Sequence, residues 1–98
     1  MDKRVIEKLQ TYFSGQPINR AWIFGSVARG ENTTQSDVDI LVDFDEGVGL
    51  FKYSSMVSEI EKILKKAVDL VSSTSLLPWV KDSVENDKIL IYERKAKR

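Results

Sequence analysis

The chain has 98 residues, of which 42% are hydrophobic and 31% are charged. This length fits one domain at 1–98 and leaves no room for two, because compact domains usually run to about 100–150 residues. The composition excludes disordered and fibrous proteins. No apolar run is long enough to span a membrane, and charges interrupt the first segment where a signal peptide would need an unbroken apolar stretch. We expect a cytoplasmic protein.

The charge balance and two missing residue types restrict the possible chemistry. Fifteen basic residues offset fifteen acidic ones, so the formal net charge is zero, which argues against an extensive nucleic-acid-binding surface. The sequence contains no cysteine and no histidine, which excludes thiolate and imidazole catalysis and thiolate zinc sites. Carboxylates, hydroxyls and basic groups remain, and they favour hard cations such as Mg²⁺.

Apolar spacing and turn residues divide the chain into alternating helices and strands. In the first half of the chain we predict a helix over Val5 to Phe13, a strand at 21–24, a short helix from about Ser26, a loop at 30–36 and a strand at 37–45. In the second half we predict a helix at about 50–66, a strand at 67–71, a helix from its N-cap Ser75 to about Glu85, a strand at 88–92 and a polar tail at 93–98. This order predicts an α/β (α+β) fold. A small mixed four-stranded sheet would carry helices mainly on one face and leave the other free for a site.

The strand at 37–45 is predicted to have one apolar and one acidic face, because its apolar and acidic residues alternate. Asp37 and Asp39 project to the same side, with Cα atoms about 6.5–7 Å apart. Two carboxylates at this spacing can bracket a divalent cation, which would offset a repulsion on the order of 2 kcal/mol. The alternative is an acidic face that is simply solvated.

Asp69 is the single acid in the apolar segment 67–71. A carboxylate buried there without a partner would be costly. If this strand lies beside the strand at 37–45, about 4.8 Å away, Asp69 joins Asp37 and Asp39 in a three-carboxylate cluster. Such a cluster favours two Mg²⁺ ions about 3.5–4 Å apart, as in nucleotidyl displacement. Two alternatives remain open, namely an edge residue that faces water and a cap of the turn at 72–73.

The segment 25–30 leaves a strand and enters a helix. Gly25 allows the backbone to approach a ligand, Ser26 adds a hydroxyl donor and Arg29 adds a forked cation, which together suit a phosphate. The segment is not a Walker loop, because Glu31 stands where that motif requires lysine, and it lacks the third glycine of a dinucleotide fingerprint. The alternative is a tight strand-to-helix turn with an exposed arginine.

Taken together, the glycine-serine pair at 25–26, the Asp37-Val38-Asp39 motif and the single acid Asp69 in a later strand resemble the motifs of polymerase β-type nucleotidyltransferases. More narrowly, the chain is similar to the minimal nucleotidyltransferases (MNT), the small partners of HEPN proteins in prokaryotic toxin–antitoxin pairs. The resemblance extends from the first helix to the last strand, and Asp69 is assigned by its order and strand context.

The resemblance implies an enzyme that transfers AMP from ATP to a hydroxyl group, such as a tyrosine of the HEPN toxin, and releases pyrophosphate. It implies two Mg²⁺ ions. The site residues that it implies are Asp37, Asp39 and Asp69 for catalysis and metal binding, Gly25 and Ser26 for phosphate binding, and Arg29 either for phosphate contact or for support of the site. Because larger relatives carry further domains, a partner subunit or a second copy of the chain is expected to complete the site.

Two other functions fit the same residues. The chain could neutralise its partner by binding alone, with the acids inherited but unused. It could also transfer a nucleotide to a small hydroxyl compound such as an aminoglycoside. The sequence leaves open the nucleotide, the acceptor, the oligomeric state and the direction in which Arg20 and Lys52 point.

Overall fold

A computed structural model describes residues 2–31, 37–45, 47–76 and 78–94. In chain order its elements are α1 (Lys3–Ser14), β1 (Ile18–Phe24), α2 (Gly25–Ala28), β2 (Val38–Phe44), α3 (Leu50–Leu64), β3 (Val68–Ser72), a short 3-10 helix (Ser73–Ser75), α4 (Pro78–Asp87) and β4 (Ile89–Glu93). The predicted α+β fold with a mixed four-stranded sheet is confirmed. Most of the predicted loop, at 32–36, and the end of the predicted tail, at 95–98, lie outside the described residues.

The sheet has the strand order β3-β2-β1-β4. β1 pairs antiparallel with β2 and with β4, whereas β2 and β3 run parallel. Parallel neighbours require a crossover connection, and α3 supplies it between β2 and β3. β3 and β4 are therefore the two edges of the sheet, and the strand that carries Asp39 lies inside it.

The main core lies between the sheet and the two long helices. Leu9 and Phe13 of α1 and Met56 and Ile60 of α3 are fully buried there. Their partners in the same buried cluster include Ile18, Ala21, Ile23, Ile40, Val42 and Leu70 of the sheet. Apolar residues at helical spacing on α1 and α3 thus cover one face of the strands, as their periodicity predicts.

The opposite face of the sheet is not free over its whole length, which corrects the expectation from the sequence. Leu41 has the same strand parity as Asp39, yet it is only 1% exposed and lies outside the main core cluster. Val84 of α4 is also buried outside that cluster. β2 is an interior strand and is covered on both faces in its middle, at Leu41. Its acidic residues therefore lie towards its ends and not along an open face.

β1 begins three residues before the predicted start at Ala21. The polar pair Asn19-Arg20 hid this part of the strand, because it interrupts the apolar run in the sequence. In the structure Ile18 is fully buried, and the Arg20 Nε atom donates to Glu93 Oε2 over 2.7 Å. The partner Glu93 extends β4 into the predicted tail, and Arg94 is held by the Asp45 carboxylate at 2.6 Å.

The ends of α3 and the start of α4 also differ from the prediction. α3 ends at Leu64 because Lys65 adopts a left-handed conformation with φ of +57°. Ser75 is not the N-cap of α4, since it is the last residue of the 3-10 helix. α4 begins at Pro78, a residue whose fixed φ and missing N–H suit the first helical position. Within the described ranges, no helix is both long enough and apolar enough to cross a membrane.

Candidate active site

The segments that carry the predicted site residues meet where β1 ends and where β2 and β3 begin. Asp39 lies opposite Phe24, the last residue of β1, in the antiparallel pair. On its other side Asp39 lies directly beside Asp69 in the parallel pair. The lateral contact on which the three-carboxylate hypothesis depended is therefore present in the strand register. The turn that begins at Gly25 follows at the same corner of the sheet.

The ionisation of Asp39 depends on its burial and on the charges of its neighbours. Partial burial raises the pKa of its carboxyl group above the ordinary value, and the charges of Asp69 and Asp37 raise it further, with a smaller opposing effect from Arg29. Both effects disfavour the ionised form, because desolvation and like charges each penalise a carboxylate. The charges of Asp69, Asp37 and Arg29 thus act on the Asp39 carboxyl group, and a bound cation would relieve the repulsion among the acids.

Asp37 and Asp69 are exposed, unlike the partly buried Asp39. The burial cost that was expected to force a partner on Asp69 does not apply, because β3 is an edge strand and this side chain faces solvent. Among residues 2–31, 37–45, 47–76 and 78–94, no three acidic side chains converge closely enough to form a ready-made metal site. The strands bring the three backbones together, whereas the carboxylate oxygens are not drawn into one compact set.

Gly25 packs directly against Asp39. Its φ is +71°, a left-handed conformation that glycine adopts without steric penalty. A Cβ atom placed on this residue would lie 3.3 Å from Asp39 Cγ and would overlap the Oδ2 atom. The position therefore needs glycine for two independent reasons, the backbone conformation and the close approach of the carboxylate.

A second left-handed glycine closes the short helix α2. Gly30 has a φ of +73°, and its amide donates to the Val27 carbonyl over 3.2 Å. The amide of Glu31 donates to the carbonyl of Ser26 over 2.9 Å. This pair of hydrogen bonds is a Schellman motif, which ends a helix with glycine in the left-handed region. The segment 25–30 is thus a single helical turn with a glycine at each end, and Ser26 lies in its first turn.

Arg29 is held by two carboxylates. Its Nη1 atom lies 2.6 Å from Asp87 Oδ2, at the end of α4, and its Nε atom lies 3.2 Å from Glu31 Oε1. In this arrangement the guanidinium connects the turn at 25–30 to α4. These ion pairs are the kind expected if Arg29 supports the turn, whereas its contact with a phosphate stays a prediction.

Sequence reasoning missed the partner Asp87, because 58 positions separate it from Arg29 and nothing local marks the pair. Arg20, whose direction the sequence left open, pairs with Glu93 and lies opposite Asp43. That position is at the far end of β1 from Gly25, so Arg20 does not line this corner.

The raised pKa of Asp39 predicts a pH dependence of stability. The folded-state pKa lies above the ordinary value of 3.8, so the folded chain binds this proton more tightly than the unfolded chain, and the ionised form weakens the fold. This destabilisation is absent below the ordinary value, develops as the pH rises through the raised pKa, and is complete above it. We expect Asp39→Asn to remove it. Urea denaturation of both proteins between about pH 3 and pH 7 should show that the free energy of unfolding of the variant, relative to that of the wild type, increases as the pH rises. A difference independent of pH would contradict the assignment.

Comparison with known proteins identifies the family of this chain. The polymerase β nucleotidyltransferase family model matches residues 7–97, nearly the whole chain. A candidate protein adenylyltransferase of Methanocaldococcus jannaschii is 42% identical over 72 residues, with 74% of this chain and 77% of that protein covered. The protein adenylyltransferase MntA of Thermococcus cleftensis is 39% identical over 69 residues, with 70% of each chain covered.

A solved structure supports the fold independently. It contains a tri-AMPylated HEPN toxin of Shewanella oneidensis in complex with an MNT antitoxin, and the matching chain superposes with a TM-score of 0.72. The match covers 96% of this chain and 74% of that chain at 17% identity, a level at which the likeness shows the fold alone. The family match over nearly the whole chain and the two relatives establish more: the chain belongs to the polymerase β-type nucleotidyltransferase family and is a nucleotidyltransferase.

Proposed function

We propose that this chain is a Mg²⁺-dependent protein adenylyltransferase that moves AMP from ATP to a tyrosine hydroxyl of a HEPN toxin and thereby acts as the antitoxin. The observation that carries the proposal is the position of Asp39, with Asp69 beside it in the parallel register and Gly25 packed against its carboxylate. Two relatives that bear the name protein adenylyltransferase support the reaction type.

The residues at this corner fit a divalent metal ion in charge and in chemistry. Asp37, Asp39 and Asp69 offer carboxylate oxygens, the ligands that Mg²⁺ prefers. Burial raises the pKa of Asp39 most, and repulsion by Asp69 and Asp37 raises it further; a bound cation would relieve that repulsion. When bound, Mg²⁺ would neutralise the charge of the triphosphate and of the leaving pyrophosphate.

The other steps of the reaction are assigned to individual residues at this corner of the sheet. In this proposal Asp69, which is exposed at the sheet edge, would accept the proton of the attacking hydroxyl. The hydroxyl oxygen forms a bond to the α-phosphorus as the bond from that phosphorus to the pyrophosphate oxygen breaks. Gly25 and Ser26 would hold the β- and γ-phosphates against the turn. Such a displacement depends on positioning and on charge stabilisation, so the absence of histidine and cysteine is no obstacle.

Arg29 acts in this proposal through support of the turn, because its guanidinium is engaged by Asp87 and Glu31. We expect Asp87→Asn to lower the free energy of unfolding by less than about 1 kcal/mol, as for other exposed ion pairs. The same change should lower AMP transfer severalfold and reproduce part of the loss caused by Arg29→Ala. Steady-state transfer assays on both variants check this.

The matched control for this comparison is Glu93→Gln. It breaks the ion pair with Arg20, which is remote from the corner, and should leave transfer at the wild-type rate. Loss of transfer in Arg29→Ala with full activity in Asp87→Asn would instead show that Arg29 acts directly on the nucleotide.

The partner assignment rests on similarity to the MNT antitoxin fold and on one surface feature. Leu50 and Phe51, at the start of α3, are 76% and 94% exposed. Large apolar side chains exposed together are typical of protein-binding surfaces. The same feature favours the second candidate function, an antitoxin that neutralises the toxin by binding alone. The two functions differ in whether Asp39 is needed, because binding alone survives its replacement.

The test of the proposal is incubation of the purified chain with each labelled nucleoside triphosphate, Mg²⁺ and a lysate of the host, followed by mass spectrometry of the labelled products. We expect label from ATP on a tyrosine of a HEPN protein. Label confined to small hydroxyl compounds or to RNA would contradict the assignment of the acceptor. The absence of label under every nucleotide would contradict the assignment of the activity.

A further inference from the structure

β3 carries Asp69 although it is short, parallel and at the edge of the sheet. It has five residues and, among the described strands, one neighbour, β2. Parallel pairing is slightly weaker per residue than antiparallel pairing, and edge elements open locally at lower free energy than the core. If β3 were held only by its hydrogen bonds to β2, Asp69 would be positioned loosely. The contacts on the outer edge of β3 therefore matter for the site.

The backbone groups of β3 alternate between β2 and the outer edge. The amide of Val38 donates to the Ala67 carbonyl over 3.0 Å, so the odd-numbered residues of this segment direct their backbone groups towards β2. Val68 and Leu70 then direct theirs outwards, because successive residues of a strand alternate. Asp69 lies between these two residues.

Two side chains of α3 bind these outward groups. Glu61 Oε2 accepts a hydrogen bond from the Val68 amide over 2.9 Å. The Tyr53 hydroxyl donates to the carbonyl of Leu70, a residue that is only 3% exposed. The two hydrogen bonds lie on either side of Asp69 and replace the partners that a further strand would provide.

Tyr53 also contacts the strand that carries Asp39. Its ring packs edge-on against Phe44, at the end of β2, with a centroid separation of 6.2 Å and an interplanar angle of 64°. One side chain therefore joins α3 to both acidic strands. Loss of its hydroxyl would remove the hydrogen bond to β3 and leave the ring contact with β2.

We propose that Tyr53 and Glu61 are positioning residues for Asp69: by binding the backbone on both sides of it from α3, they hold this part of β3, and with it Asp69, in the register beside Asp39. This inference rests on the proposed function for the role of Asp69, whereas the hydrogen bonds themselves do not depend on it. Groups that orient metal ligands commonly affect metal affinity when they are removed.

The test uses the full chain with Tyr53→Phe and Glu61→Ala, each of which removes one of the two hydrogen bonds. Glu61→Gln keeps an acceptor oxygen and serves as the rescue variant. Tyr12→Phe is the matched control, since the Tyr12 hydroxyl donates to Glu59 Oε1 over 2.8 Å and makes no bond to β3. Hydrogen exchange of the β3 amides, with the β1 amides as reference, reports the strand. Titration with Mn²⁺, which resembles Mg²⁺ in preferring oxygen ligands, reports the carboxylates.

We expect Tyr53→Phe and Glu61→Ala to speed exchange in β3 more than in β1 and to weaken Mn²⁺ binding by about fivefold or more, the equivalent of one lost hydrogen bond. Glu61→Gln and Tyr12→Phe should bind Mn²⁺ as the wild type does. Unchanged Mn²⁺ affinity in the first two variants would overturn the proposal, as would equal acceleration of exchange in both strands. A wild-type chain that binds Mn²⁺ but transfers no nucleotide would disprove the proposed function, and the affinities of the variants would still decide the positioning role.

Discussion

Asp39→Asn should lower AMP transfer by on the order of 10³-fold or more while the chain remains folded, since removal of one group from a catalytic unit has effects of this size. The amide is nearly isosteric with the carboxylate but carries no charge for a divalent cation. Because partial burial and two neighbouring acids disfavour the ionised carboxylate, its replacement should leave the free energy of unfolding at neutral pH unchanged or higher. Transfer assays and urea denaturation on the same preparation measure both.

The control for this variant is Asp43→Asn. Asp43 lies on the same strand and the same face as Asp39. It is opposite Arg20 and comes after Val42, the last residue of β2 that pairs with β3. We expect transfer at close to the wild-type rate. If both variants lose transfer equally, the activity does not depend on the corner formed by Asp39. If Asp39→Asn keeps its activity, the carboxylate is not catalytic, and the binding-only antitoxin becomes the better account.

Gly25→Ala should reduce both stability and transfer. Alanine at a φ of +71° costs about 1–2 kcal/mol in backbone strain. Its Cβ would overlap the Asp39 carboxylate, which must rotate to make room. A displacement of about 1 Å at a reacting site can lower a rate by about 10²-fold, so we expect a loss of transfer of that size. Thermal unfolding and single-turnover transfer assays separate the two effects.

Gly30→Ala separates the backbone strain from the clash. Gly30 has nearly the same φ, +73°, but a Cβ atom there would meet nothing within 4 Å. The two variants should therefore lose similar stability, whereas only Gly25→Ala should lose most of its transfer. If both variants lose transfer equally, backbone strain in the segment 25–30 explains the loss, and the contact between Gly25 and Asp39 has no separate role.

The sequence was informative where a contact follows from local pattern. The alternation at 37–45 and the apolar segment with one acid at 67–71 predicted two strands. Helical spacing predicted the long helix between them, and such a crossover places two strands in parallel. That these strands are neighbours, so that Asp69 lies beside Asp39, follows from the observed register and not from composition.

Contacts between residues far apart in the chain could not be predicted in this way. Arg29 meets Asp87 across 58 positions, and Tyr53 meets Leu70 across 17. Both contacts depend on how α3 and α4 pack, and no spacing rule encodes that packing. The exposure of Asp69 was one of the alternatives that the sequence left open, because apolar neighbours suggest burial whether a strand is interior or at an edge, and only the strand order distinguishes the two.

The most direct test of the account is the fate of the α-phosphorus. The purified chain, Mg²⁺ and a purified HEPN toxin are incubated with ATP labelled on the α-phosphate in one reaction and on the γ-phosphate in another, and the toxin is digested and mapped by mass spectrometry. We expect the α-label on a toxin tyrosine and the γ-label in released pyrophosphate. No label should reach the toxin when the chain carries Asp39→Asn. Neutralisation of the toxin with no α-label on it, or label on the toxin from the γ-phosphate, would contradict the account.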